Sequence, residues 1–578
     1  MPKKPELTAE LSFGTLDSPR PDAVKPTRFR IAIMGDFSGR AAKGEVEIGP
    51  DLASRRPIKL DVDTIDKVIT GFGTTLILPI GKKGAGIEVE LTSIDDLHPD
   101  ELYEKVEMFE GLVSLKRRLS SGSTAKGTVT ELREWGRENG RKVTAPARTS
   151  KGNAIPADRK LSDFAKLIGG KSTRKAEASS ADDLIARIVG PYIVAVPEAD
   201  NVAMQDAVDE ALSGAMRLVL HHPEFQSVEA QWRMLDLITR SVETDAKLDL
   251  ILYDISAEEL AADLSAQDDL SQSGFYELLT EGTPDGRGPF SAVCGLYTFE
   301  ETPPHAELLG RIAKVAAHVN APFFAAITPT FLEVPKDDRH PLVATAWDTL
   351  RAMPEAGHVA LVSPRFLLRR PYGAKSEPIY EFEFEEFTPH EGLSGMLWAN
   401  PVALVAILLA QSFRKNGMAM GLGSVMTLGE IPFHYVKDQY GDQVALPCTE
   451  RNLTQSKTQA AVGRGLMPVI SVKGRDEVRL GSFQSLAGET VLGPWAGVPM
   501  PAPKPEALPV SADSDDTAPA SDDSDDTASA DTDTEAMDAD LAALLAGFDD
   551  DSGGGDDANA SDDDEEMDPE LAALLAGL

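Results

Sequence analysis

The 578-residue chain is longer than one ordinary domain, carries a net charge of −38 and contains two cysteines. Two cysteines exclude a disulfide-stabilised scaffold and favour a reducing compartment. The acidic excess argues against nucleic-acid binding, which depends on clustered Lys and Arg. The chain starts without the apolar run of a signal peptide, and its apolar runs stay shorter than the roughly 18 residues of a membrane span. We therefore expect a cytoplasmic protein of two or three domains that does not insert into membranes.

The first predicted domain spans residues 29–137 and follows an extended, proline-containing arm over residues 1–28. Apolar runs and period-two alternation predict its strands. These strands are residues 29–34, 57–62 and 87–91. A flexible basic linker is predicted over residues 138–181, because eleven Lys and Arg face three acids between residues 137 and 175, interleaved with small and polar residues.

One helix is predicted over residues 98–120 of the first domain. Pro99 suits the first turn of a helix. Apolar side chains recur at helical spacing from that point, at Leu102, Val106, Phe109 and Val113. Basic residues 116–118 complement the dipole at the carboxyl end of the helix.

Strand and helix patterns alternate in the second predicted domain, residues 182–500. Helices are predicted at residues 206–220, 223–242, 306–318 and 401–413, and strands at 248–255, 290–299, 322–327, 358–362 and 380–387. This alternation predicts a mainly parallel sheet covered by helices. The predicted fold class is α/β with mixed α+β character, in which both domains have parallel or mixed sheets covered by helices.

A disordered acidic tail is predicted over residues 501–578. It contains 25 Asp and Glu and one Lys, and so contributes −24 of the total charge. Its composition buries too little apolar surface to offset the entropy of ordering. Two short helical motifs interrupt the tail, MDADLAALLAGF at 537–548 and MDPELAALLAGL at 567–578. Their apolar faces hold the candidate partner-docking residues, which are Leu541, Leu544, Leu545, Phe548, Leu571, Leu574, Leu575 and Leu578.

The nearest approach to a nucleotide site is a relaxed phosphate-loop pattern that runs from Ala165 to Gly170-Lys171-Ser172. A phosphate loop needs a buried strand before it and a helix after it, and polar residues flank this segment on both sides. We predict no cofactor here. The rival hypothesis of an enzyme predicts ATP binding that Lys171→Ala abolishes.

Other chemistry-bearing residues also favour structural roles. His221 and His222 predict a helix start rather than a metal site, because adjacent histidines point apart. Cys294 lies among apolar residues and predicts an inert core thiol. The alternation of Glu and aromatic residues over 380–387 predicts an amphipathic strand with a charged outer face. The sequence thus predicts no catalytic residue and no metal, and indicates a structural protein rather than an enzyme.

Two stretches of the chain are similar to one assembly family. The segments IAIMGDFSG (31–39), RRPIKLDVDTIDKV (55–68), ELTSIDDLHPDEL (90–102) and LKRRL (115–119) resemble the small subunit, of TssB/VipA type, of the type VI secretion contractile sheath. The segments LHHPEFQSVEAQWRML (220–235), APFFAA (321–326), RRPYG (369–373), LWAN (397–400) and PCTE (447–450) resemble its large subunit, of TssC/VipB type. We call residues 29–137 the small half and residues 182–500 the large half.

The resemblance implies a fused sheath protein that polymerises around an inner tube and contracts to propel it. The implied partners are further copies in a helical homopolymer or other sheath subunits, the inner-tube protein, the baseplate and a disassembly AAA+ ATPase. Neighbouring subunits of the family are joined by strands donated from extended arms, which is β-augmentation. Head-to-tail contacts that do not close give a filament.

An alternative hypothesis is a sheath-like adaptor or scaffold, which recruits partners through its tandem tail motifs and forms no tubes. The resemblance ends near Trp495, and the final segment usual in the large subunit is not found after it. We therefore expect either a specialised member of the family or one that needs a second sheath partner.

Overall fold

The computed structural model of the protein describes residues 11–19, 28–79, 86–140, 153–156, 181–194, 201–280, 288–390, 392–437 and 443–497. The predicted tail and most of the predicted basic linker lie outside these residues. The eight candidate docking residues of the tail and the Lys171 segment therefore have no described position, and the predictions made for them stay predictions. None of the described helices is long and apolar enough to cross a membrane.

The described residues form fifteen strands. They are β1 (Phe29–Gly35), β2 (Ile58–Leu60), β3 (Thr74–Leu78), β4 (Ile87–Leu91), β5 (Leu248–Asp254), β6 (Ala292–Phe299), β7 (Phe323–Ile327), β8 (Val359–Ser363), β9 (Phe366–Leu367), β10 (Trp398–Ala399), β11 (Thr427–Leu428), β12 (Tyr435–Lys437), β13 (Gln443–Ala445), β14 (Leu466–Ser471) and β15 (Val478–Leu480). Nine of them form one mixed sheet in the order β11-β15-β14-β8-β7-β6-β1-β5-β2.

The described α-helices cover this sheet and build a helical layer beside it. They are α1 (Arg40–Lys43), α2 (Pro50–Ala53), α3 (Ile65–Phe72), α4 (Pro99–Lys105), α5 (Glu107–Ser120), α6 (Ala125–Glu138), α7 (Ala181–Ile193), α8 (Asn201–Leu220), α9 (Pro223–Ser241), α10 (Ala257–Ala266), α11 (Gly274–Thr280), α12 (Pro303–Val319), α13 (Pro341–Arg351), α14 (Val402–Asn416) and α15 (Gln455–Val462). The predicted α/β fold class is confirmed.

The middle of the sheet is parallel and buried on both faces. Strands β5, β1, β6, β7, β8 and β14 run parallel, whereas β2, β15 and β11 pair antiparallel at the two ends. Along β1, Ile31 and Ile33 enter one apolar cluster with residues of α9 and α14, and Ala32 and Met34 enter a second cluster with residues of α12. Strands with both faces covered need near-continuous apolar runs. β1 and β5 have such runs, interrupted by the buried Arg30 and Asp249.

Helix starts follow from local capping. The imidazole of His222 accepts a hydrogen bond from Glu224 N, at 3.3 Å, and Pro223 occupies the first turn of α9. Burial lowers the pKa of His222 to about 4, so its ring stays neutral and able to accept. Ser256 and Glu259 form a reciprocal capping box at α10. The predicted helix-start role of His222 is confirmed.

The single helix predicted over residues 98–120 is wrong in detail. Val106 adopts an extended conformation (φ −88°, ψ 119°) and separates α4 from α5. The break turns Leu112 and Leu115 towards the core in place of the predicted Val113. Val106 itself is buried, 4% exposed.

Candidate functional site

The junction between the two halves is the site that the described residues build most fully. Strand β1 of the small half lies between β5 and β6 of the large half, paired with β5 over its whole length from Phe29–Leu248 to Gly35–Asp254. All seven residues of β1 are buried. Full burial of its four large apolar side chains contributes on the order of 6 to 12 kcal/mol. The two halves therefore share one sheet, which the sequence did not predict.

Carboxylates of the large half hold the loop that follows β1. Asp254, at the end of β5, accepts hydrogen bonds from Phe37 N at 2.8 Å and from the Ser38 hydroxyl at 2.6 Å. Glu259, at the start of α10, receives Arg40 in two hydrogen bonds of 2.9 and 3.0 Å, and Arg55 at 3.1 Å. Since these groups are largely withdrawn from water, each charge depends on its partner across the junction.

Asp36 of the small half adds a third carboxyl group beside Asp254 and Glu259, at the edge of the sheet where β1 and β5 end. Its two oxygens accept hydrogen bonds from Arg40 N (2.6 Å) and Ala41 N (3.0 Å) at the start of α1. Burial, together with the charge of Asp254, raises the pKa of Asp36 to about 7. Burial also raises the pKa of Asp254. The charge at this edge therefore changes close to neutral pH.

The raised pKa of Asp36 predicts a pH-dependent stability. Between the ordinary Asp pKa of 3.8 and about 7, the folded chain retains a proton that the unfolded chain releases. The free energy of unfolding therefore falls as pH rises through this window. Asp36→Asn removes this group, and we expect its stability relative to wild type to increase by about 1 to 4 kcal/mol between pH 4 and pH 8, in urea unfolding.

The exposed Asp51 provides the control for this measurement, since its side chain lies in solvent. Asp51→Asn removes an exposed carboxyl group, and its pH profile of stability should lie closer to that of wild type than the profile of Asp36→Asn does. Parallel pH profiles of wild type and Asp36→Asn would contradict the assignment.

A second charged cluster ties Arg369 to two buried glutamates. The guanidinium donates to Glu229 at 2.7 Å from Nε, and to Glu386 at 2.7 Å from Nη1 and 3.0 Å from Nη2. It also lies over the ring of Tyr372, 4.2 Å from the centroid. Burial alone would raise the pKa of Glu386, but Arg369 and the neighbouring His221 lower it to about 2. The glutamate is therefore ionised across the whole neutral range.

This second cluster reaches the small half through aromatic contact. His98 of the small half meets the Tyr372 ring edge-on, with centroids 5.0 Å apart. Arg233 donates to the Tyr372 hydroxyl at 2.8 Å and to Glu229 at 2.9 Å. A cavity of about 860 Å³ lies beside these residues and is lined by side chains of both charges. The cluster thus fixes a contact between the halves.

Residues 380–387 are all described and contain no strand, so the strand predicted there is wrong. The backbone amides of Tyr380 and Glu381 donate instead to the carboxylate of Asp100 in the small half, at 3.1 to 3.2 Å. Phe382 stacks on Tyr103, with centroids 4.9 Å apart. Glu386 does not lie on a charged outer face, because Arg369 holds it in the interior.

The helices of the two halves also pack closely. A Cβ on Gly190 of α7 would lie 2.7 Å from the Trp135 carbonyl oxygen of α6, so only glycine allows this approach. Gly136 of α6 faces Ile193 of α7 in the same contact. The small half is therefore held at its strand, its loops and its last helix.

The predicted inert thiol, Cys294, is buried, and the second cysteine, Cys448, is buried as well. Burial raises the pKa of Cys294, which keeps it a thiol and not a thiolate. Within the described ranges, no group of three or more His, Cys, Asp or Glu is placed to hold a metal ion. The carboxylates of the junction are held by guanidinium groups, backbone amides and the Ser38 hydroxyl.

Comparison with known proteins agrees with this two-part architecture. The family model described as Type VI secretion system, VipA, VC_A0107 or Hcp2, matches residues 22–135. The VipB model, described as EvpB/VC_A0108, tail sheath N-terminal domain, matches residues 203–487. This chain belongs to the type VI secretion sheath family. It joins the two sheath subunits of that family in one polypeptide.

A relative supports the large-subunit half of this fused sheath protein. The type VI secretion system sheath protein TssC1 of Pseudomonas aeruginosa (strain PAO1) is 31% identical to it over 299 residues. The match covers 48% of this chain and 60% of TssC1. The fused sheath protein therefore spans less than two thirds of the length of this relative. The recognition of both sheath subunits from the sequence is confirmed.

Proposed function

We propose that this chain is a structural subunit of a contractile sheath, which polymerises around an inner tube in the cytoplasm and contracts to propel that tube. The central position of β1 carries the proposal. Because a strand of the small half completes the sheet of the large half, one polypeptide folds as one small–large pair. A helical polymer of identical units needs such a unit with fixed stoichiometry.

The buried charges at the junction support a rigid repeating unit. Separating the halves would leave Glu259 and Asp254 without the partners that Arg40 and Ser38 now supply. A buried charge without a partner destabilises the fold. A switch between two packing arrangements is therefore easier at contacts between copies of the chain than inside one copy. Contraction would then move whole units against each other, without a catalytic group in the chain.

The proposed partners follow from the family and from the tail. They are further copies of the chain or other sheath subunits, the inner-tube protein, the baseplate and a disassembly AAA+ ATPase. The two tail motifs are proposed docking segments for a groove in one of these partners, and their duplication would add avidity. The adaptor hypothesis shares this docking role and differs by forming no tubes.

Negative-stain electron microscopy tests the proposal. The purified full-length protein is imaged alone and after mixing with the inner-tube protein of the same genome, and we expect hollow helical tubes. A chain ending at residue 500 is the matched control, and it should form tubes while losing any partner that the tail motifs bind. Discrete small particles in both full-length samples would overturn assembly of this chain by itself, and would favour the adaptor or a chain that needs a second sheath partner.

A further inference from the structure

Four residues of the predicted linker occupy a strand position in the large sheet. Pairing between β1 and β6 ends at Met34–Gly295, whereas β6 continues to Phe299. Beyond that point Ala154 pairs in parallel with Thr298. Thr298 N donates to Asn153 O at 2.9 Å, and Ile155 N donates to Thr298 O at 3.1 Å. Residues 153–156, which we call the linker segment, thus continue the sheet where β1 leaves it.

The side chains of the linker segment are bound as well. The amide oxygen of Asn153 accepts a hydrogen bond from Asp36 N at 3.1 Å, in the small half. Ile155 is 2% exposed and belongs to the apolar cluster that contains Met34. The imidazole of His305 lies 3.3 Å from the Pro156 carbonyl oxygen. The segment is therefore held by both halves at once.

The segment lies at the topological switch point of the sheet. From β1 the chain adds β5 on one side and then β6 on the other, so the connections diverge there. In open α/β sheets the crevice at the carboxyl ends of such strands is the usual ligand position. Here the chain's own residues fill it, and a cavity of about 530 Å³ lined in part by Asn153 and Thr298 lies beside them.

We propose that this crevice is a docking site for the linker of the same chain, and that docking there pairs each small half with the large half of its own polypeptide. Residue 140 ends the described part of the small half, and residue 181 begins α7. A free tether between them would reach about 140 Å at roughly 3.4 Å per residue. Anchoring at residue 153 reduces that reach to about 45 Å, which disfavours exchange of halves between neighbouring copies. The proposal holds whether or not the chain forms tubes.

A disulfide between the segment and β6 tests the site. Residues opposite each other on neighbouring strands lie roughly 4.8 Å apart, within the Cα range of a disulfide. The full-length Ala154→Cys/Thr298→Cys variant is oxidised with oxidised glutathione and examined on a non-reducing gel and by peptide mass spectrometry. We expect a bond within one chain and a monomer of increased mobility. Crosslinked dimers would overturn the same-chain pairing, and the lack of any bond would overturn the docking.

The control is Ala154→Cys/Thr328→Cys, because Thr328 follows β7 and lies about 10 Å away, two strand spacings from the segment. It should form no such bond. Single-cysteine variants report any bond to the natural Cys294 or Cys448. If the double variant does not fold, hydrogen exchange of the unmodified protein decides the question. The Ile155 amide should exchange far more slowly than in an unfolded chain, and exchange at the unfolded rate would overturn the proposal.

Discussion

Replacing Arg369 by alanine should lower the free energy of unfolding by about 3 to 5 kcal/mol. The substitution leaves Glu229 and Glu386 buried, 0% and 1% exposed, without the cation that both contact. It also removes the guanidinium that lies over Tyr372. Urea unfolding followed by tryptophan fluorescence measures the difference. The loss should persist at high salt, because the pair is screened from solvent.

The neighbouring Arg370 provides a matched control. It has the same side chain one residue later, and that side chain is exposed. Arg370→Ala should change stability by no more than about 0.5 kcal/mol. Equal effects of the two substitutions would show that the buried cluster does not hold the junction.

Ile33→Asp should abolish cooperative folding of the whole chain, rather than of the small half alone. Ile33 is 0% exposed and lies in register between Leu252 of β5 and Cys294 of β6. A carboxyl group there has no partner, and burying it costs an amount comparable to the whole stability of a domain. We expect insoluble protein, or a broad unfolding transition in circular dichroism. A sharp transition near that of wild type would contradict the central position of β1.

Val62→Asp is the matched control for this prediction. Val62 follows β2 in the same half and is 54% exposed. Replacing a β-branched apolar residue by Asp at this exposed position should shift stability by about 0.5 kcal/mol or less. The pair of variants separates burial in the shared sheet from a general effect of added charge.

Local sequence patterns predicted the strands and helices whose burial pattern repeats regularly along the element. The apolar run of β5 and the helical stripe of α9, with Phe225 and Trp232 buried on it, predict their own structure. Helix starts were readable for the same reason, since His222 and Pro223 act on the adjacent turn. Such features depend on neighbours within a few residues.

Non-local pairing was not readable from the sequence. The residues of β1 fit any buried strand, and nothing within them specifies partners more than 200 residues later, at Leu248–Asp254. Residues 380–387 alternate as a strand does, but the backbone amides of Tyr380 and Glu381 donate to the Asp100 side chain and not to a neighbouring strand. Tertiary context overrode the local pattern at residues 380–387, whereas at β1 the strand itself was predicted and only its partners were not.

The charged groups of the junction were visible only in part. Arg369 lies in one of the stretches that resemble the large subunit, yet its partners Glu229 and Glu386 are distant in sequence. Asp36 could be recognised as the polar end of a buried strand. The burial of Asp36 depends on Asp254 and on α1. The sequence around Asp36 does not indicate these contacts.

The central position of β1 also sets an order for synthesis. Strand β1 leaves the ribosome first among the strands, but its second sheet neighbour, β6, ends only at residue 299. At about 5 to 20 residues per second, the wait between them is roughly 13 to 53 s. For most of that time, until β5 is complete at residue 254, this apolar strand has no partner in the large sheet, and the nascent chain exposes it to aggregation. Fusion thus makes folding of the first half wait for translation of the second.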